Sequence, residues 1–320
     1  MLSRVADSLY WMSRYLERAE HSARLIDTHL NLMLDMSADS ADHRWRLVLS
    51  CLPIQSKGEP PTDTQDIIRE MTFSPRNRSS IVSCIAAARE NARQVREQVS
   101  SEMWTQLNRL FHEVKRAGSE DIGEVQPLEF LNAVKDGSML FQGITDSTMN
   151  HGEGWQFIRL GRCMERCVAT AALLDAHFRE FLRPPDALGE AADPLEWVGL
   201  LKCCTAFEAY CKVYTAKLSP SRIAEFLLLN AEFPHSARFC VDRVLSALTA
   251  IEESTYRRKG ESVRRLAGRL RANLEFSQID EILAGGLHPY LVSIQKECAN
   301  IHSAIHEVYI AYAIEAALEA

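Results

Sequence analysis

The chain has 320 residues, 47% of them apolar, and a formal net charge of −7. Such a length buries a large core in one large domain or two smaller ones. The acidic balance argues against non-specific nucleic-acid binding, which calls for a basic surface.

In the first segment, apolar residues fall at Leu2, Val5, Leu9, Met12, Leu16, Ala19, Ala23, Ile26, Leu30 and Met33. Steps of three and four make one stripe along a long helix. The opening MLSRVADSLY carries Arg4 and Asp7 and lacks the apolar centre of a signal peptide. No apolar run approaches the roughly 18 residues that span a bilayer, so a cytoplasmic protein without membrane segments is expected. On this helix Arg14, Glu17 and Arg18 stand at neighbour spacing. His21 and Arg24 extend their face, and Tyr10, Trp11 and Tyr15 flank it.

Beyond a Pro-rich break at 53–61, Ser79–Glu97 reads as a helix with Ile81, Ile85, Ala88 and Val95 on one side, and Trp104–Val114 continues it. A polar stretch at 143–155, GITDSTMNHGEGW, reads as a linker and N-cap for the helix of residues 155–181 or as a polar loop folded against that helix's arginines. Three/four spacing returns in Leu195–Lys217, Val241–Tyr256, Val263–Leu270 and Leu287–Ala317, with breaks at Gly118–Gly123, Pro184–Gly189, Pro234, Gly260 and Gly285 with Gly286. No strand pattern is found. The pattern predicts an all-α fold of long antiparallel helices forming a bundle.

The helix of 155–181 repeats the first. Adding 148 carries Arg14, Glu17, Arg18, Asp27 and His29 onto Arg162, Glu165, Arg166, Asp175 and His177. The same shift carries the apolar stripe onto Phe157, Leu160, Met164, Cys167, Ala171, Leu174, Phe178 and Phe181. A second echo relates Phe73–Cys84 to Leu229–Cys240, with Ser80 and Cys84 matching Ser236 and Cys240 at an offset of 156. These echoes predict an internal duplication, residues 1–146 and 147–320.

Arg supplies 28 of the 36 basic residues. A guanidinium fork bonds carboxylate or phosphate through two N–H groups, so the surplus fits buried ion pairs or an anionic ligand, or reflects codon usage alone. Arg14, Glu17, Arg18, His21, Arg24, Arg159, Arg162, Glu165 and Arg166 are the candidate ligand-binding residues. Three readings stand. The two groups form solvated intrahelical pairs, meet across a pseudo-twofold interface, or line a cavity for an anion. Two Arg to one Glu in each group favours the last.

The segments LSRVADSLYWMSRYLERAEHSARLID (2–27), SSIVSCIAAARENARQVRE (79–97), SEMWTQLN (101–108), GITDSTMNHGEGWQFIRLGRCMERC (143–167) and EFLLLNAEFPHSARFC (225–240) resemble the alpha-E domain family, bacterial all-helical proteins with a Glu-Arg motif. The motif maps to Glu17-Arg18 and Glu165-Arg166. Ser13 and Cys163 depart from the Gly and aromatic expected there. The resemblance implies partners: a circularly permuted ATP-grasp peptide ligase and a transglutaminase-like cysteine peptidase. It implies the context of a peptide-synthesising or peptide-modifying system; together with the paired Arg surplus, this suggests an auxiliary protein that binds an acidic peptide or its phosphorylated intermediate through the two clusters. It carries over no reaction, and catalytic residues stay unknown.

Two rivals remain: an enzyme using Glu17 or Glu165 as general base, and a scaffold that docks the partners through helix faces. A carboxylate between two Arg has a lowered pKa and is a poor base. The ferritin-like set of two Glu-x-x-His motifs plus two further Glu is not found, nor is His-Glu-x-x-His, a P-loop, G-x-G-x-x-G or G-x-S-x-G. No cofactor and no metal is expected; His302, His306 and Glu307 read as a partly exposed helix face. Nine Cys without any C-x-x-C read as reduced, buried thiols. Glu90, Asn91, Arg93, Trp104 and Asn108 form a further polar–aromatic set that sequence cannot place.

Overall fold

Helix after helix follows from the three/four spacing, and no strand occurs among the described residues. The computed structural model describes residues 1–33, 44–45, 47–52, 64–117, 127–181, 194–215, 217–255 and 260–311. In chain order the helices are α1 (Ser3–Leu32), α2 (Thr64–Thr72), α3 (Ile81–Gln94), α4 (Ser101–Ala117), α5 (Pro127–Thr148), α6 (Glu153–Phe181) and α7 (Pro194–Cys203). Then come α8 (Phe207–Tyr214), α9 (Pro220–Leu229), α10 (Ala237–Thr255), α11 (Glu261–Phe276), α12 (Ile279–Gly285) and α13 (Leu287–Ile305), which widens into a π-type turn at His306–Ala311.

Two expected helices are divided. Residues 79–114 form α3 and α4, parted by a 3₁₀ turn at Arg96–Gln98, and Ser100 Oγ accepts from Met103 N at the start of α4. The expected helix Leu195–Lys217 is divided into α7 and α8, parted where Thr205 takes a left-handed φ of 53°, and residue 216 lies outside the described residues. The stretch 143–155 is mostly helical, because α5 runs on to Thr148 and α6 begins at Glu153. Of the expected helix Leu287–Ala317, residues 312–317 lie outside the described residues, as do the breaks at 53–61, 118–123 and 184–189.

α1 and α6 form the centre, side by side in the same direction. Met1 meets Glu153, Tyr10 and Ser13 meet Gly161, and Glu17 meets Arg166. Residue i of α1 thus faces the neighbourhood of residue i + 148. Antiparallel packing, the arrangement expected throughout, holds for the flanking helices. α3 runs against α1, with Ser8 near Gln94 and Arg18 near Ser79, and α5 does so through Glu20 with Gln142 and Asp27 with Lys135. α10 and the turn before it run against α6, with Cys167 at Ala237 and Thr170 at His235, and α13 does so through Asp175 with His288 and Cys167 with Cys298.

Central placement explains the composition of α1. Leu9, Tyr10, Met12, Ala19, Ala23, Leu25 and Ile26 are fully buried on several sides, and Glu17 and Glu20 are buried with them. The central pair touches most closely at Gly161. A Cβ there would stand 2.3 Å from both Tyr10 O and Ser13 Oγ. A glycine inside a helix costs about 1 kcal/mol relative to alanine; here it lets two backbones meet.

The caps of α3 and α10 share their bonds at one offset. Ser80 Oγ accepts from Ser83 N and donates to Ser74 O; Ser236 Oγ accepts from Phe239 N and donates to Asn230 O. Cys84 Sγ donates to Arg78 O and Cys240 Sγ to Pro234 O. The described apolar residues form one continuous core through both halves.

Candidate functional site

One turn beyond the Gly161 contact, the Arg-x-x-Glu-Arg groups of α1 and α6 exchange partners. Arg18 Nε donates to Glu165 Oε1 at 2.6 Å, and Arg166 Nε donates to Glu17 Oε1 at 2.5 Å. Arg166 completes a fork through Nη2 to Glu17 Oε2 at 2.9 Å, and its Nη1 reaches Pro234 O. Each Glu therefore takes its Arg from the other helix. Intrahelical Arg14–Glu17 pairing, suggested by the spacing, does not occur. The solvated-face reading fails as well, because Glu17, Glu165 and Arg166 are 3%, 6% and 9% exposed. Buried charges require such partners, since an unpaired one costs several kcal/mol.

Arg14 joins the exchange from α1. Its Nε donates to Glu165 Oε2 at 2.7 Å, so Glu165 holds two guanidinium groups. Its Nη1 donates to Tyr10 Oη and His302 Nδ1, both at 3.2 Å, and its plane lies 4.7 Å from the Trp11 ring centroid. Tyr10 and His302 stack and bond at 3.0 Å. Burial, with Arg14 nearby, lowers His302 to about 4. The ring is neutral near pH 7, and Nδ1 accepts. Sequence spacing offers only one of these partners for Arg14: Tyr10 is one turn back on α1, whereas His302 comes from α13. His302 is thereby a hydrogen-bond partner of the cluster.

Arg162, the equivalent of Arg14, has no such setting. Its Nη1 donates to Gln142 Oε1 at 3.4 Å, and its buried Nε has no partner among the described residues. Ile158 stands where α1 has Tyr10, and Arg159 where it has Trp11. Gln142 Nε2 in turn donates to Glu20 Oε2, and Glu20 Oε1 accepts from Arg24 Nη2 at 2.6 Å. Buried Arg24 Nε, His21 Nε2 and Arg159 Nη2 also lack partners among the described residues. Arg159 lies over Trp155, 5.3 Å from the centroid, and Trp155 donates to Asp146. These bonds are what remains of the polar stretch at 143–155 as a loop near the arginines.

The electrostatics follow from this division. Burial alone would raise Glu165, but Arg14 and Arg18 outweigh it and hold the carboxyl below its ordinary value. Burial would lower Arg166, and Glu17 more than reverses that. Glu20 is raised by burial and by the charge of Glu17. Burial lowers His21 to about 4, and lowers Arg159 with help from the cations Arg243 and Arg162. The two motifs carry four Arg and two Glu; Arg14, Arg18 and Arg166 hold the carboxylates, and Arg162 is left with a neutral amide.

The remaining sequence candidates lie elsewhere. Arg93 and Glu90 form an exposed pair, while Arg89 bonds Asn108 and lies over Phe111 and Trp104. No group of three or more His, Cys, Asp or Glu among the described residues could hold a metal ion. All nine Cys are free thiols. Sequence reasoning missed Arg44–Glu196, a buried ion pair between the segment at 44–52 and α7. No helix among the described residues is long and apolar enough to cross a membrane.

Comparison with known proteins adds the family. A model of the Alpha-E family, described as a predicted alpha-helical domain with a conserved ER motif, matches residues 1–310. Uncharacterized proteins of Mycobacterium bovis and Mycobacterium tuberculosis are 25% identical over 337 aligned positions, which cover 95% of this chain and 36% of each relative. The chain thus spans about a third of the length of these curated relatives. No solved structure matches.

Proposed function

The chain belongs to the Alpha-E family, and from that premise we propose that it is an auxiliary helical protein that presents a cationic site to an anionic ligand. The ER motif itself has a structural part in this reading: Glu17, Arg18, Glu165 and Arg166, with Arg14, tie α1 to α6. The proposed ligand-facing residues are Arg162 and Arg159, which the exchange leaves over, together with Arg24, paired to Glu20, and the neutral His21. One observation carries the proposal. Arg162 occupies the place of a fully engaged arginine, yet meets only Gln142 among the described residues. A carboxylate or phosphate is the partner that a free guanidinium fork fits best.

An acidic peptide and a phosphorylated intermediate of an ATP-grasp ligation both carry such groups. An ATP-grasp ligase and a transglutaminase-like peptidase are the proposed partners, on the family resemblance. General-base catalysis by Glu165 is disfavoured, because two guanidinium groups hold it ionised and hydrogen-bonded.

Calorimetric titration with tri-glutamate and with acetyl phosphate tests the site. Binding by the unaltered chain that falls about tenfold in Arg162→Gln, with an unchanged unfolding midpoint, supports it. Absence of binding by both probes, or binding unaffected by Arg162→Gln, overturns it.

A further inference from the structure

An opening lies on α9 and α10, beyond the turn at 230–236 on which Arg166 rests. It is a cleft of about 420 Å³ between the ends of α8 and α9, the start of α10, and the junction of α11 with α12. Leu229 and Ile279 supply apolar wall, while Tyr214, Glu225, Arg238 and Asp280 supply the charge and hydrogen bonds. The volume falls within the range of small-ligand sites, and the lining is mainly polar, as suits a charged ligand.

The polar groups are incompletely used. Glu225 accepts from the Tyr214 hydroxyl through Oε2 at 3.0 Å, and no bond to its other oxygen is found among the described residues. Arg238 is held loosely: Nη1 reaches Leu229 O at 3.5 Å, Nη2 stands 3.6 Å from Glu275, and its buried Nε has no partner among the described residues. The cleft therefore offers one under-bonded guanidinium and, in Glu225 and Asp280, two carboxylates. A purely anionic ligand would be repelled by the carboxylates, and a simple amine would leave the guanidinium unused.

We propose that this cleft binds a small zwitterion, an α-amino acid or a short peptide, with its carboxylate on Arg238 and its ammonium on Glu225. Both contacts are charge-assisted, and each sets one end of the ligand. Leu229 and Ile279 then face its aliphatic part. The proposal is independent of the anion site at Arg162, which lies on α6.

Calorimetry of the full chain near pH 7 with L-leucine and L-alanyl-L-leucine tests it, with 3-methylbutylamine and N-acetyl-L-leucine as probes lacking one charge each. At least one zwitterion should bind, and each single-charge analogue should bind about tenfold to a hundredfold more weakly. Tighter binding of the dipeptide would identify a peptide as the ligand, and tighter binding of leucine a free amino acid; either supports the site. Arg238→Gln and Glu225→Gln should each weaken the zwitterion about tenfold while leaving tri-glutamate binding unchanged. No binding of either zwitterion at about 10 mM, enough to fill a millimolar site, overturns the proposal. So does an amine or N-acetyl analogue that binds as tightly as its zwitterion. The four-probe comparison uses the unaltered chain, so it decides the matter even if a variant fails to fold.

Discussion

Arg14 and Arg162 sit at equivalent places on two parallel helices, four residues before equivalent arginines, and end in opposite conditions. Arg14 is bonded to Glu165, Tyr10 and His302; Arg162 reaches one amide. Their own helices explain part of the difference. α1 supplies Tyr10 and Trp11 one turn earlier, and α6 supplies Ile158 and Arg159. α13 supplies the rest by placing His302 on the α1 side alone. Identity at matching positions thus fixes which residue stands at a place, while the neighbours fix whether it is fully engaged or left with a single amide. Arg18 and Arg166, each bonded to a glutamate across the pair, show the opposite case, in which both members of an equivalent pair are engaged.

The strongest way to break the comparison is Glu165→Gln. It leaves Arg14 and Arg18 buried without their counter-charge, and the loss of stability in urea unfolding should be about 3–5 kcal/mol. Gly161→Ala attacks the geometry. Its methyl group would collide with the Tyr10 carbonyl, spread the central helices and cost about 1–3 kcal/mol in the same assay.

Acid sharpens the contrast at the far end of the pair. His29 and His177 are also equivalent, both are buried, and burial lowers both to about 3. The unfolded chain takes up protons on these rings below about pH 6.5, and the fold resists until about pH 3. Their contribution is intact above pH 6.5 and declines on acidification through that window, by about 1.4 kcal/mol per pH unit for each ring. Replacing either by Gln should flatten the measured slope by a similar amount, unlike the unequal arginines. The smallest stability effect is expected for Arg162→Gln, below about 0.5 kcal/mol, although anion binding by that variant should fall about tenfold.

The sequence made the helices legible because apolar spacing reports burial directly. It also marked Arg14, Glu17 and Arg18 with Arg162, Glu165 and Arg166 as a related set. It could not report who pairs with whom. Arg14 and Glu17 stand at favourable intrahelical spacing, and nothing in one helix says that Glu17 turns instead to Arg166 on a helix 149 positions away. The parallel course of α1 and α6 was hidden for a similar reason, since a stripe has no direction. One signal was available and went unread: Gly161 interrupts a strongly helical segment, and an interior glycine calls for a packing reason. Tyr10 stood at neighbour spacing to Arg14, but His302 and Gln142 gave no signal as partners of arginines, and Arg238 none as the cation of a cleft, because tertiary packing alone brings those groups together.

Two double-mutant cycles measured by urea unfolding test the central claim most directly, one for Arg14 with Glu165 and one for Arg162 with Glu17. A coupling of about 1–3 kcal/mol in the first and under about 0.5 kcal/mol in the second is predicted. Equal couplings, or none between Arg14 and Glu165, would show that the two arginines are not divided between fold and ligand.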